Sequence, residues 1–245
     1  MRYYGGKYRT GKDISTILKY IAHAFKIKGY IEPFCGALGV MRHMEYNKYK
    51  CYALDGCEDI ILLWNDIKNN KFKKPKNINQ ELWNNLKYNK PSSLRAYIGF
   101  GYSYGGQWFN SFIKNYDTCV NDDNIYNNII KMKSILKKID LYHRDYKNHL
   151  KIIEKGGYLI YCDPPYVNST HKHKGSKYDF NKNEFWKIVR KWRNWGNIIV
   201  VSERNAPKDF TLIWNKKLNN AVSNIISSYD DKLFISFEKN KIIKS

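Results

Sequence analysis

The strongest constraint on this chain is a rhythm: short β-prone runs that end on an acid or a turn alternate with segments of helical period. Residues 13–27 carry Ile14, Ile17, Leu18, Ile21 and Phe25 at helical spacing, which predicts an amphipathic helix. The run 29-GYIEPF-34 reads as a strand closed by a turn holding Gly36 and Gly39, with a helix expected from Val40. Next, 50-KCYALD-55 reads as a strand ending in an acid, and 58-EDIILLWNDIKNN-70 as another helix. The rhythm resumes at 139-IDLYHRDY-146, followed by a short helix near 147–154 and the strand 157-GYLIYC-162. A helix holding Phe185, Ile188, Val189 and Trp192 and the strand 197-NIIVVS-202 complete it. Such alternation requires an α/β fold with mostly parallel strands. Late strands are expected at 210–214, 223–229 and 232–237, the last two joined by an Asp230-Asp231 turn into a C-terminal antiparallel hairpin.

The rhythm breaks between about residues 66 and 124. The segment 68-KNNKFKKPK-76 holds five lysines, and 99-GFGYSYGGQWF-109 is rich in glycine and aromatic residues. A helix carrying Ile125, Ile129, Met132, Leu136 and Ile139 follows. The expected organisation is a small, mainly helical insertion over 66–140 inside a catalytic domain formed by 1–65 and 141–245.

Charge narrows the partner. The formal net charge is +21, with 35 lysines against 8 arginines. Biased codon usage accounts for the choice of lysine but not for the excess, which points to a polyanion, with nucleic acid the expected one. Five cysteines without paired spacing argue against a disulfide framework or a zinc site and for a reducing compartment. No apolar run reaches the roughly 20 residues that a membrane helix needs. The expected location is therefore the cytoplasm, of a bacterium or of the host cell of a phage.

Four constellations could carry chemistry. The first is Asp163-Pro164-Pro165-Tyr166. A proline pushes the preceding residue into an extended conformation and gives nothing to a ladder, so pairing must stop near Asp163. In an open parallel sheet the carboxyl ends of the strands line the ligand crevice, which is where Asp163 and the Pro164 carbonyl would project. Taken alone, the tetrapeptide is no more than a strand-ending turn. The second is 32-EPFCGALG-39, a strand–turn element that lets backbone approach a ligand closely. The third is Asp55, about 20 residues on, at the offset where an acid bonds a ribose hydroxyl; an ordinary helix cap is the plainer reading. In this order they favour a nucleoside-bearing cofactor. The fourth is 3-YYGGKY-8, where Lys7 could reach an anion, or which could be only a mobile terminus.

Together these residues resemble the Dam-type, phage-like family of S-adenosylmethionine-dependent DNA adenine methyltransferases. Residues 3-YYGGKY-8 are similar to its N-terminal aromatic–small–Gly–Gly–Lys motif, 32-EPFCGALG-39 to its E-P-F-x-G turn, and Asp163 to Tyr166 to its catalytic tetrapeptide. Tyr3 stands where the best-known members have tryptophan, and Gly39 lies one position later than the usual second glycine. The resemblance implies a Rossmann-like methyltransferase fold and S-adenosylmethionine as cofactor. It implies that Tyr3, Gly6, Lys7, Glu32, Pro33, Phe34, Gly36, Gly39, Asp55, Asp145, Tyr146 and Asp163 bind that cofactor, and that Asp163, Pro164, Pro165 and Tyr166 are catalytic. Asp163 and the Pro164 carbonyl would accept hydrogen bonds from the adenine amino group, and Tyr166 would stack on a base flipped out of the duplex. The implied partner is double-stranded DNA, with room for a cognate restriction endonuclease.

Lys71, Lys73, Lys74 and Lys76 are candidate phosphate contacts, and Tyr104 and Trp108 candidate stacking or wedging residues. For each lysine a solvated side chain is the plainer reading, and for the two aromatics core packing is as good. Phe180 and His173 follow the tetrapeptide and read more simply as a core phenylalanine and a surface histidine. Alternatives are a transferase of the same fold acting on an amino group in RNA, cytosine or an amide, or a nucleic-acid-binding relative without catalysis.

Overall fold

The computed structural model describes residues 3–113, 122–165, 180–222 and 225–238. Strands β1 (Gly29–Glu32), β2 (Lys50–Asp55), β3 (Ile139–His143), β4 (Tyr158–Cys162), β5 (Ile198–Ser202), β6 (Thr211–Val222) and β7 (Ile225–Ser236) form one sheet in the order β3-β2-β1-β4-β5-β7-β6. The first five pair in parallel, and β7 runs antiparallel to both β5 and β6. The fold is thus a Rossmann-like, mostly parallel sheet with an antiparallel C-terminal hairpin. Strand order reverses between β1 and β4, and a crevice outside the carboxyl ends at such a switch point is where these sheets bind ligands.

The central strands β1, β4 and β5 are buried on both faces, so they read as nearly continuous apolar runs rather than alternating ones. Consecutive residues still point to opposite sides. Tyr30, Leu159 and Val200 enter one core with Ile14 and Leu18 of α1 (Gly11–Ala24) and Leu63 and Trp64 of α2 (Glu58–Lys68). Their neighbours Ile31, Ile160 and Val201 enter the other, with Phe185, Val189 and Trp192 of the later helix (Lys182–Asn194).

Between α2 and β3 the described residues include the helices α3 (Gln80–Lys87), α4 (Ser93–Gly101), α5 (Asp122–Ile130) and α6 (Lys133–Leu136), which makes the Lys182–Asn194 helix α7. Asn79 and Ser92 cap α3 and α4 by accepting from the Leu82 and Arg95 amides. Trp83, Leu86, Tyr97, Phe100, Trp108, Ile129 and Leu136 share the core of α1 and α2. Asp59 of α2 accepts from Arg95 Nη1 at 2.7 Å and from the Ser92 amide at 2.9 Å, which ties the start of α4 to the sheet-covering helix.

Three expectations need correction. No α-helix follows Val40; the chain makes one 3-10 turn, Met41–His43. The segment near 147–154 gives only a 3-10 turn at Lys151–Lys155. Asp230-Asp231 is not a hairpin turn. Both residues lie inside β7, opposite Lys217 and Lys216 of β6, and the hairpin joins two twelve-residue strands. Aspartate is disfavoured in strands, but Asp231 is buried among donors that satisfy its carboxylate.

Candidate active site

Asp55 ends β2 and reaches across to the turn after β1. Its Oδ2 accepts from the Gly36 amide and its Oδ1 from the Cys57 amide, each at 2.8 Å. The Gly36 carbonyl accepts from Trp64 Nε1 at 2.9 Å. One acid and one indole therefore hold both polar groups of the Gly36 peptide. Gly36 has φ +42°, and a Cβ there would lie 2.8 Å from the Tyr3 ring, so both conformation and space call for glycine. A Cβ on Gly39 would press on the Lys7 backbone at 3.1 Å, so the N-terminal segment lies close against the turn. Burial raises Asp55 above the usual carboxylate range, and its two amide partners work against this.

The ladder of β4 ends at Cys162, as two following prolines require. Asp163 comes next, with its side chain 15% exposed. Lys7 Nζ lies 3.1 Å from Asp163 Oδ1 and 3.1 Å from Asp231 Oδ1. Burial pushes Asp163 up to about 6; the Lys7 ammonium opposes this, and the Asp231 and Glu203 carboxylates reinforce it. Glu32, at the end of β1, is buried and accepts from the Tyr30 hydroxyl at 2.6 Å. Burial raises it to about 8.

Lys7, Glu32, Asp55 and Asp163 line one cavity at the carboxyl ends of β1, β2 and β4. Its wall takes in Tyr3, Gly6, Lys7, Glu32, Pro33, Phe34, Gly36, Gly39, Asp55, Asp145, Tyr146, Asp163, Pro164 and Pro165. Tyr146 packs 5.1 Å from Phe34, and Phe180 lies 6.2 Å from Phe34 and 5.9 Å from Tyr146, so Phe180 is both a core residue and a cavity residue. Tyr166 and His173 lie outside the described residues.

The glycine- and aromatic-rich run supplies another wall. Phe100 packs 4.6 Å from Tyr3, the Tyr4 amide donates to the Gly106 carbonyl at 3.1 Å, and Phe100 and Trp108 both face the cavity. Trp108 is buried, 4.5 Å from Phe100 and 5.0 Å from the Arg95 guanidinium, and so is built into the core; Tyr104 is exposed. Gly99 makes this packing feasible, since a Cβ would fall 2.4 Å from the Phe109 ring and 2.8 Å from that of Trp108. Lys71, Lys73 and Lys76 are exposed, whereas Lys74 pairs with Asp123 at 2.7 Å.

Sequence reasoning missed Trp64, Asp231 and Phe100. Trp64 sits among ordinary apolar helix positions and gave no signal. Asp231 does carry one, an acid leading into the apolar run 232-KLFISF-237, but by local sequence alone Asp230-Asp231 has the signature of a turn. Phe100 was visible only as part of its run.

No curated protein matches the sequence. Solved structures with a loosely similar course include a precorrin 8W decarboxylase from Methanobacterium thermoautotrophicum, at 9% identity, TM-score 0.37, covering 91% of this chain and 90% of that one. A magnesium protoporphyrin IX methyltransferase from Synechocystis with bound S-adenosylmethionine is 7% identical, TM-score 0.36, covering 91% and 78%. An S-adenosylmethionine-dependent methyltransferase from Clostridium acetobutylicum is 10% identical, TM-score 0.35, covering 94% and 76%. Among the described residues no helix is long and apolar enough to cross a membrane. Residues 3–95, which hold Lys7, Glu32, Gly36 and Asp55, match the family model of the D12 class N6 adenine-specific DNA methyltransferases. Over that stretch the chain is similar to this family.

Proposed function

We propose that the chain methylates the exocyclic amino group of adenine in DNA, with the target base flipped out of the duplex. The observation that carries this reading is that the Asp163 carboxylate opens into the same cavity as the Gly36 turn and Asp55. A nucleoside-binding edge and an acceptor for an amino group thus share one space.

The residues fit S-adenosylmethionine. Gly36 leaves a cradle that a Cβ would close against Tyr3. Each Asp55 oxygen holds one backbone amide and keeps acceptor capacity for a ribose hydroxyl. Phe34, Tyr146 and Phe180 offer apolar ring surface for an adenine. Bound there, the cofactor supplies an electrophilic methyl group on a sulfonium.

The chain's own groups do the rest. The adenine amino nitrogen is a poor nucleophile because its lone pair is delocalised into the ring. Asp163, once ionised, accepts an amino hydrogen and favours a tetrahedral nitrogen; the Pro164 carbonyl serves as a second acceptor. Both act as preorganised electrostatics in a partly closed site, and in-line positioning supplies much of the rate. Tyr166 offsets part of the cost of extruding the base by stacking, worth about 1–3 kcal/mol. Residues 66–140 form the target-recognition part, with Lys71, Lys73 and Lys76 toward phosphates.

The test is transfer of a labelled methyl group to mixed-sequence DNA, followed by sequencing that reports N6-methyladenine. Methylated cytosine, or label on RNA alone, would overturn the adenine reading.

A further inference from the structure

Asp231 belongs to none of the methyltransferase motifs, yet it is 2% exposed and three donors converge on it. Lys7 Nζ and Ser202 Oγ each lie 3.1 Å from its Oδ1, and Thr10 Oγ1 lies 2.8 Å from its Oδ2. The donors come from distant parts of the chain. Lys7 and Thr10 precede or begin α1, Ser202 ends β5, and Asp231 lies on β7. The same Lys7 ammonium lies 3.1 Å from Asp163 Oδ1. One cation is therefore shared between the carboxylate at the cavity and a second carboxylate anchored behind it.

We propose that Asp231 is a positioning residue for methyl transfer: held by Thr10 and Ser202, it keeps the Lys7 ammonium shared, so that Asp163 stays open to accept a hydrogen bond from the substrate amino group. The catalytic half of this inference rests on the proposed reaction. An ammonium paired with Asp163 alone would settle fully on that carboxylate and compete with the substrate for its lone pairs. Asp231 draws it back. The other titratable groups around Asp163 are Tyr3 before α1, Glu32 of β1, Tyr161 and Cys162 of β4, and Glu203 after β5. Among the described residues Lys7 is the cation within ion-pair distance of Asp163, while Lys182 of α7 lies 3.5 Å from Glu203, so the place of Lys7 sets the balance. Asp231 also pushes the Asp163 carboxyl upward by like charge, so its neutralisation has a definite sign.

The experiment compares wild type, Asp231→Asn and Thr10→Val in two assays. The first follows the carboxyl carbon of Asp163 by NMR across pH, assigned with Asp163→Asn and needing no DNA. The second measures single-turnover methyl transfer to DNA at saturating cofactor across pH. In Asp231→Asn the Asp163 titration should move down by about one pH unit. The acid limb of the rate should follow it, and the plateau rate should fall about 10- to 100-fold. Thr10→Val keeps the charge but loosens the anchor, so its plateau should fall about tenfold; it also decides the matter if Asp231→Asn does not fold. An unmoved Asp163 titration, or a rate lowered by one factor at every pH, would reduce Asp231 to a packing residue and overturn the proposal, as would a wild-type plateau in Thr10→Val. If wild type methylates no DNA, the proposed reaction fails, while the titration still decides whether Asp231 tunes Asp163.

Discussion

Glu32 offers the sharpest test of how the cavity is built. Its carboxyl is 2% exposed at the end of β1, and the Tyr30 hydroxyl donates to it at 2.6 Å. Burial, reinforced by Asp163, raises it from 4.5 to about 8. A carboxyl raised in the fold is protonated there at neutral pH, whereas in the unfolded chain it is ionised. Its contribution to stability is therefore complete below pH 4.5 and is lost as pH rises through 8. At about 1.4 kcal/mol per tenfold, the full difference is on the order of 5 kcal/mol, of which about 3 kcal/mol falls between pH 5.5 and 8.5. Glutamine keeps the shape and an acceptor for Tyr30 but does not titrate. Urea unfolding of wild type and Glu32→Gln at those two pH values should show wild type losing about 3 kcal/mol more than the variant. Asp163 titrates in both proteins, so its contribution largely cancels. If the two proteins lose stability equally over this interval, the charge on Glu32 costs the fold nothing, and the account of a carboxyl desolvated at the cavity floor is wrong.

Three further outcomes follow from the geometry. Gly36→Ala forces a left-handed conformation on a residue with a Cβ and drives that Cβ against the Tyr3 ring; it should cost about 1–2 kcal/mol of stability and weaken S-adenosylmethionine binding by calorimetry, and unchanged affinity would count against the cradle. Asp163→Asn should keep measurable cofactor binding while methyl transfer falls on the order of 10²–10³-fold or more, and normal transfer would sink the role of that carboxylate. Replacing Lys71, Lys73 and Lys76 by glutamine should weaken DNA binding and flatten its dependence on salt, by about 0.9 in log–log slope for each true phosphate contact; an unchanged slope would show that these side chains are only solvated.

The parallel half of the fold was legible because β1, β2, β4 and β5 are short, apolar and punctuated by acids, glycine or proline, and because α1 and α2 keep a helical period. What misled was local chemistry overridden by distant contacts. Val40 lies at the start of a 3-10 turn instead of a helix, where the chain leaves the glycine turn and packs its Met41 side chain inward. Asp230-Asp231 looks like a turn to any local rule. The donors that hold Asp231 inside a strand lie 221 and 224 residues away in sequence, at Thr10 and Lys7, and no window of residues contains them. The cavity was legible wherever a motif carried it: Lys7, Glu32, Gly36, Asp55 and Asp163 meet there. The braces behind the motifs were not. Trp64 holds the Gly36 carbonyl from an unremarkable helix position. Trp108 showed itself as aromatic, but whether it met solvent or core depended on Gly99 and Arg95.

The arrangement of Lys7 between two carboxylates is hard to explain as a stability device. Taking three charges out of water carries a large desolvation cost, and replacing such buried sets by apolar residues of similar volume is often neutral or stabilising. Joining residues 224 positions apart also adds loop-closure entropy. Among these three groups one negative charge is in excess, and the set meets the cavity at Lys7 and Asp163. The proposed reaction supplies a reason: in it Asp163 must be ionised to accept a hydrogen bond from the amino group, although burial has raised it to about 6. Without the ammonium, burial and the neighbouring carboxylates would hold Asp163 protonated further into the neutral range, and a protonated carboxyl is a poorer acceptor. The sign is therefore fixed: methyl transfer by wild type should fall as pH drops through about 6, with an ionised acceptor above that point and a neutral one below. Lys7→Met should move this limb to higher pH, opposite to Asp231→Asn. A shift of both limbs in the same direction would mean that the three charges do not act as one set.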